Sequence, residues 1–375
     1  MRVLQYIAYF PPHVWWLESH AAEWAKRRVS SWCWSVMVAT YDVWQHTDIC
    51  TYEIDWYTVV CIPSFEIIPT FPFPKFRRKT YWDAQRIIKS FNADILITRT
   101  RFFIPSLIGG ILAKLRWKKR VHIEHGVDYV ILNARWKNLF AWLFDQLVWR
   151  WIFNSANAVI AISAWCKRFV QKFTARDIPI MYRGIESAIQ PNPVVELVPL
   201  FQFWFVGRLV KLKWVDILFF ACRKLLDEWI TNFSVSIIGD GEEKVSLMQL
   251  QRELNLDNNV TFYGFKDKSY LEKEFYPYMH GIINASVQEW LPTWVIEWLL
   301  AQCVVVATRV GGTPEISDQD DLILIEPGQI DALVEWMKKA IYSYKFVAGL
   351  SRILVSKKFD WSQNITFYKA FFDSL

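Results

Sequence analysis

The chain has 375 residues, 53% of them hydrophobic and 21% charged, which argues against a disordered or low-complexity protein and fits two domains. Its net charge of +6 is unevenly spread: residues 1–187 carry 25 Lys and Arg against 14 Asp and Glu, and residues 188–375 carry 18 against 23, as expected of two domains facing different partners. The six cysteines have no metal-ligand or disulfide spacing, so neither framework is expected, and reduced thiols in a cytoplasmic protein are the default.

The N-terminus, MRVLQYIAYFPP, reads as a first strand rather than a secretory signal. In chain order, Val3–Ile7 reads as strand, Leu17–Val29 as helix, and Ser35–Thr40, Ile95–Thr98 and Arg120–Ile123 as strands. Lys137–Ser155 then reads as helix and Ala158–Ile162 as strand. The second half alternates more regularly. Strands are expected at Phe201–Val206, Val235–Ile238, Val260–Tyr263, Gly281–Asn284, Cys303–Thr308 and Leu322–Ile325, and helices at Val215–Glu228, Glu243–Leu254, Thr293–Ala301 and Gln329–Tyr344. The strands are apolar throughout rather than alternating, the pattern of parallel sheets covered on both faces, so the fold class is α/β. Phe102–Ala113 is the nearest approach to a membrane span, but it is short and holds Pro105 and two glycines, so no transmembrane helix is expected. Ser187–Leu200, with three prolines and no helical pattern, reads as the linker. Two doubly wound domains joined there would leave a ligand cleft at the carboxyl ends of their strands.

The strongest chemical constellation is Gln288–Glu297, QEWLPTWVIE. Two carboxylates, Glu289 and Glu297, span a strand-to-helix turn. Thr293 is the expected N-cap, Glu297 falls near the first helical turn, and Glu289 points into the cleft; the plain alternative is a capping carboxylate and a surface Glu. A helix start offers N–H groups and a positive dipole end to a phosphate. Val206–Lys213, VGRLVKLK, places Gly207, Arg208 and Lys213 in a strand-to-helix loop, where cations suit a diphosphate. Ile238–Gly241 and Val310–Glu315 are further glycine turns after strands. In the first half, His125 ends a strand and could act as acid, base or orienter, or be structural. Basic clusters at Lys75–Lys79 and Lys114–Arg120 suit an anionic membrane, a phosphorylated ligand, nucleic acid, or simply solvent.

Taken in order, YFPPHV, IEHGVDY, ANAVIAIS, YRGIE, FVGRLVKLK, IIGDGEE, NNVTFYGF, QEWLPTWVIE and VVATRVGGTPEI resemble family 4 of the retaining glycosyltransferases, the group 1 glycosyl transferases, over nearly the whole chain. The resemblance implies a GT-B fold, two Rossmann-like domains facing across a cleft: residues 1–187 on the acceptor side, 188–356 on the nucleotide-sugar side, and 357–375 as a helix crossing back. It implies that Arg208 and Lys213 hold the donor diphosphate, that Glu289 meets sugar hydroxyls and that Glu297 meets the ribose. Gly207 would also bind the donor, the backbone of Leu291, Pro292 and Thr293 would support the transferred sugar and phosphate, and the backbone at Gly264 and Phe265 would lie near the base. Trp15 and Trp16 would approach the donor, and His125 would line the cleft near the reacting carbon. Neither a metal, a cofactor nor an enzyme nucleophile is implied.

The departures from the family are alike. The family has glycine at Trp15, Trp16, Trp214 and Trp290, and Trp56, Trp117 and Trp149 also stand where glycine would be ordinary, whereas Trp361 fits. With 13 glycines and 22 tryptophans, glycine is at half its usual ~7%. A gene that writes glycine as UGA, translated with UGA as tryptophan, would give this pattern. The alternative is genuine tryptophan in a rebuilt donor site. The expected function is sugar transfer from a UDP- or GDP-linked donor to a lipid-linked or glycan acceptor, with retention, by a cytoplasmic protein at the inner face of an anionic membrane. A non-catalytic nucleotide- or sugar-binding protein and a nucleotide-sugar epimerase are the alternatives, and nucleic-acid binding has no motif to support it.

Overall fold

The computed structural model describes residues 1–10, 16–32, 34–42, 50–68, 71–100, 104–116, 118–129, 139, 142–185, 200–267, 270–276 and 279–375. The chain divides into two compact units: Met1–Met181 with Ala370–Leu375, and Tyr182–Lys369. The expected linker, Ser187–Leu200, lies almost wholly outside the described residues.

The first unit is built on eight strands: β1 (Arg2–Ile7), β2 (Ser35–Asp42), β3 (Cys50–Ile54), β4 (Tyr57–Ile68), β5 (Phe71–Pro74), β6 (Ile95–Arg99), β7 (Lys119–Glu124) and β8 (Ala158–Ala161). They run in the order β3-β4-β2-β1-β6-β7-β8, with β5 paired to β4. All pairings are parallel except β3 with β4 and β4 with β5. Strand order reverses between β1 and β6. All five residues of β6 are buried, because α1 (Trp16–Trp32), α2 (Lys79–Ser90) and α3 (Ile104–Leu115) supply the covering layers that a parallel sheet requires. A helical run over 142–155 passes through a π-turn, Asp145–Trp149, into α4 (Arg150–Ser155), and α5 (Ala164–Val170) follows β8. Trp149 does not stand on a glycine-like position. It is fully buried among Tyr129, Phe153, Phe169 and Phe173.

The second unit carries six parallel strands: β9 (Phe201–Val206), β10 (Phe233–Ile238), β11 (Val260–Gly264), β12 (Gly281–Asn284), β13 (Val304–Thr308) and β14 (Leu322–Ile325). Their order, β11-β10-β9-β12-β13-β14, is the doubly wound arrangement, with its switch point between β9 and β12. The helices are α6 (Val215–Asp227), α7 (Lys244–Glu253), α8 (Thr293–Leu300), α9 (Ile330–Val347) and α10 (Arg352–Lys358), while α11 (Trp361–Asp373) begins in this unit and its last residues, from Ala370, belong to the first. Phe203, Leu218, Leu225, Ile237, Val306 and Met337 form part of one buried core between sheet and helices. Gly184 is needed where it stands, since a Cβ there would come within 2.3 Å of the Trp361 ring. Ile185 bridges to Asp360 beside it. Both units are thus Rossmann-like, and the α/β GT-B class expected from the sequence is the fold found.

Several elements differ from the sequence expectation. Strands β3, β4 and β5 and helices α2, α3, α5 and α10 have no counterpart in it. Thr293 is the first residue of α8 rather than its N-cap, because Pro292, with φ −71° and ψ 100°, takes the cap position. Glu297 therefore sits in the second turn and is buried.

Candidate functional site

The loops that leave the carboxyl ends of β9, β10, β12 and β13, and the end of β11, are joined to their neighbours backbone to backbone. Gly207 N–H donates to the Ile238 carbonyl at 3.0 Å, Leu209 N–H to Asp240 at 2.9 Å, Gly239 N–H to Gly264 at 2.9 Å and Gly312 N–H to Trp290 at 2.8 Å. Glycine permits this closeness. A Cβ at Gly239 would come within 1.8 Å of the Gly207 carbonyl oxygen, and one at Gly311, where φ is +54°, within 1.7 Å of that of Glu289. Backbone rather than side chain therefore forms the surface at these strand ends.

Two charged side chains meet across the switch point. Lys213 follows β9 and Glu289 follows β12, and the Lys213 Nζ lies 2.6 Å from the Glu289 Oε1. Both are mostly covered but not sealed, with side-chain exposures of 24% and 13%, so the pair keeps a limited contact with solvent. The Val287 N–H donates to the Leu212 carbonyl at 2.9 Å, which fixes the two loops against one another. Arg208, one residue past Gly207, is exposed. Beyond Glu289, Leu291 is buried and Pro292 leads into α8.

Glu297 lies one turn into α8, and its Oε2 accepts a hydrogen bond from the Tyr276 hydroxyl at 3.0 Å. Sequence reasoning missed Tyr276. It lies 21 residues upstream at the end of a π-turn, Leu271–Phe275, and no spacing rule connects the two. Gly264 adopts φ +69°, and a Cβ there would meet nothing within 4 Å. Phe265 beyond it is 73% exposed. Lys244 and the Gly241 N–H hold the Asp240 carboxyl below the usual carboxylate range.

The structure brings Gly207, Lys213, Glu289, Leu291, Pro292, Thr293 and Glu297 to one end of the second sheet, with Arg208, Gly264 and Phe265 in the neighbouring loops. His125 belongs to the first unit. It directly follows β7, is fully buried, and sits edge to face with His20 at 5.4 Å between ring centroids. Its N–H and that of Gly126 donate to the Glu124 Oε1 at 3.0 and 2.6 Å, and the other oxygen of Glu124 lies 3.2 Å from the His122 Nε2. Trp15 lies outside the described residues, and the backbone of Trp16 opens α1. Trp290 has no left-handed backbone, whereas Trp214, beside Lys213, has φ 47° and ψ 45°. Among the described residues no cluster of His, Cys, Asp and Glu has the makings of a metal site.

The family described as Glycosyltransferase Family 4 matches residues 18–188, and that described as Glycosyl transferases group 1 matches residues 201–342. An uncharacterized glycosyltransferase of Methanocaldococcus jannaschii is 27% identical over the whole chain and 99% of its own length. An N-acetylgalactosaminyltransferase of Campylobacter jejuni that acts on N-acetylgalactosamine-N,N'-diacetylbacillosaminyl-diphospho-undecaprenol is 27% identical over 54% of this chain and 55% of its own. Among solved structures, Anabaena HepE in complex with UDP and glucose superimposes with a TM-score of 0.75 over all of both chains at 18% identity.

Proposed function

The chain belongs to the group 1, family 4 glycosyltransferases, and from that premise we propose that it moves a sugar from a nucleotide-sugar donor to a lipid-linked or glycan acceptor with retention of anomeric configuration. The observation that carries the donor assignment is the ion pair of Lys213 and Glu289 across the β9–β12 switch point, 2.6 Å long and not fully buried. A nucleoside diphosphate is the ligand such a point accepts. Its β-phosphate would draw the Lys213 ammonium away from Glu289, and the carboxylate so released is free to accept from the hydroxyls of the transferred sugar. Arg208 adds a second cation, and the N–H groups at the start of α8 add a third source of positive potential. Glu297, held by Tyr276, is the acceptor for the ribose hydroxyls. Gly264 and Phe265 flank the base.

In this reading the leaving diphosphate is stabilised by protein cations and N–H groups without a divalent metal. No side chain serves as nucleophile, and His125 orients or deprotonates the acceptor. The solved relative with UDP and glucose supports a nucleotide-sugar donor. The relative that acts on a diphospho-undecaprenol acceptor supports a lipid-linked one.

The test is transfer from UDP- and GDP-linked sugars in EDTA, with the product anomer read by NMR. Lys213→Ala and Glu289→Gln should each lower kcat by about 100-fold or more with the fold intact, the usual effect of removing one charge-stabilising contact in a transition state. Wild-type rates in both variants would reject the site. Turnover of donor with an isomerised sugar and no acceptor product would favour the epimerase instead.

A further inference from the structure

The helical run over 142–155 is apolar on both sides. Its inner side buries Trp149, Ile152 and Phe153 in the first unit. Its outer side, where a surface helix ordinarily carries charge, presents Trp142, Leu143 and Leu147, and Leu139 lies one turn before them. Exposures are 45% for Trp142 and Leu143, 73% for Leu147 and 59% for Leu139. Helix α3 packs beside this run: Gly110 lies so close to the Trp151 ring that a Cβ would stand 3.0 Å from it. Helix α3 adds its own exposed apolar residues, Ile111 and Leu115.

The exposed charges that these two helices carry are of one sign. Lys114 and Arg150 are exposed and Arg116 half-covered. Among the described residues of 104–116 and 142–155 the one acid is Asp145, which is buried. Isolated exposed leucines are ordinary, but a row of them rimmed by cations and without an exposed acid marks an interaction surface. Apolar side chains enter the boundary between headgroups and acyl chains while Lys and Arg meet anionic headgroups. We infer that the outer face of α3 and of residues 142–150, together with Leu139, docks this protein on an anionic lipid bilayer. The surface rests on the proposed lipid-linked acceptor only for its purpose. The leucines alone define it, so it holds whichever residue stands at 142.

Flotation with vesicles of phosphatidylcholine, with and without phosphatidylglycerol, tests this. The full chain should bind the anionic vesicles and fall off as salt screens the headgroups. Leu143→Glu with Leu147→Glu should lower the partition coefficient by about tenfold or more, as loss of two buried apolar side chains implies, at an unchanged melting temperature. Leu115→Glu on the other helix should weaken binding in the same direction. Lys114→Glu with Arg150→Glu should remove the preference for phosphatidylglycerol. Vesicle binding equal to wild type in the leucine variants overturns the proposal. So does a wild type that ignores vesicles but forms a dimer that Leu143→Glu with Leu147→Glu converts to monomer, which would assign the face to a second copy. Binding needs no donor, so a protein that docks but transfers no sugar to a lipid-linked acceptor would refute the acceptor and leave the surface standing.

Discussion

Trp56, Trp214 and Trp229 hold backbone conformations that a Cβ penalises, with φ of 71°, 47° and 63°. Trp56 is the second residue of the two-residue turn between β3 and β4, where Ile54 pairs with Tyr57. Asp55 before it also has positive φ, which defines a type I′ turn, and such turns favour Asp-Gly. Trp229 follows the C-cap of α6. Its N–H donates to the Leu226 carbonyl and that of Ile230 to Leu225, the Schellman arrangement, whose left-handed residue is usually glycine and sometimes asparagine. At the equivalent point after α7 the chain has Asn255. Both tryptophans are 90% exposed, so no packing offsets the strain. Left-handed backbone costs a non-glycine residue about 1–2 kcal/mol, part of which glycine gives back as unfolded-state entropy. Trp56→Gly and Trp229→Gly should each stabilise by about 1 kcal/mol, or a rise of about 2–4 °C in Tm. Trp361→Gly should instead cost about 3–5 kcal/mol, because its ring is buried against Gly184. Unchanged or lower Tm in the first two variants would mean that tryptophan fits these turns. A UGA codon at 56, 214 and 229 in the source gene, with glycine in the native peptides, agrees with the strain, and UGG contradicts it.

At the scale of elements, the strands easiest to read are those covered on both faces. Val304–Thr308 is buried at every position, and so its sequence is an unbroken apolar run. The edge hairpin was illegible for the opposite reason. Residues Cys50–Ile54 alternate between half-buried and exposed, and the turn that would announce the hairpin carries a tryptophan where a glycine is usual. Helix α3 was hidden by Pro105, Gly109 and Gly110. The two glycines lie on its buried face against Thr98 and Arg120, where close packing rather than helix propensity selects them. Of the loops proposed to hold the donor, the residue types and their order are legible, but the meeting of Lys213 with Glu289 and the hold of Tyr276 on Glu297 depend on strand order, which periodicity does not encode. One buried group gives the second sheet a pH dependence. His280, just ahead of β12, accepts the Gln202 N–H at its Nδ1, and burial lowers its pKa from 6.5. The unfolded chain therefore binds the proton first. Stability contributed by neutral His280 is complete above about pH 6.5 and declines as pH falls from there through the folded-state value. Thermal melts from pH 7.5 to 5 should show a smaller loss in His280→Asn, which keeps the acceptor without the titration. Parallel losses in the two proteins would assign the acid sensitivity elsewhere.

Among the described residues, each unit has a hydrophobic core of its own. One holds Leu4, Tyr6, Val60, Ile62 and Leu96 in the first unit, and the other holds Phe203, Leu218, Val235 and Val306 in the second. The residues assigned to the donor all belong to the second unit, apart from Trp15 and Trp16. A nucleoside diphosphate should then stabilise one core directly. At a concentration 100 times its dissociation constant a ligand adds about 2.7 kcal/mol to the species that binds it, which slows exchange through opening of that species about 100-fold. Hydrogen exchange read by mass spectrometry, with UDP and GDP in parallel, separates the cases. The expected result is slowed exchange in β9, β10, β12 and β13 with the base that the Gly264–Phe265 end accepts, and little change in β1, β6 and β7. Lys213→Ala should abolish the effect while exchange without nucleotide stays at the wild-type rate. Equal slowing in both sheets would mean that the two units open as one cooperative body. Slowing confined to the first sheet would move the nucleotide site to the His125 side of the chain and reject the assignment of Lys213 and Glu289.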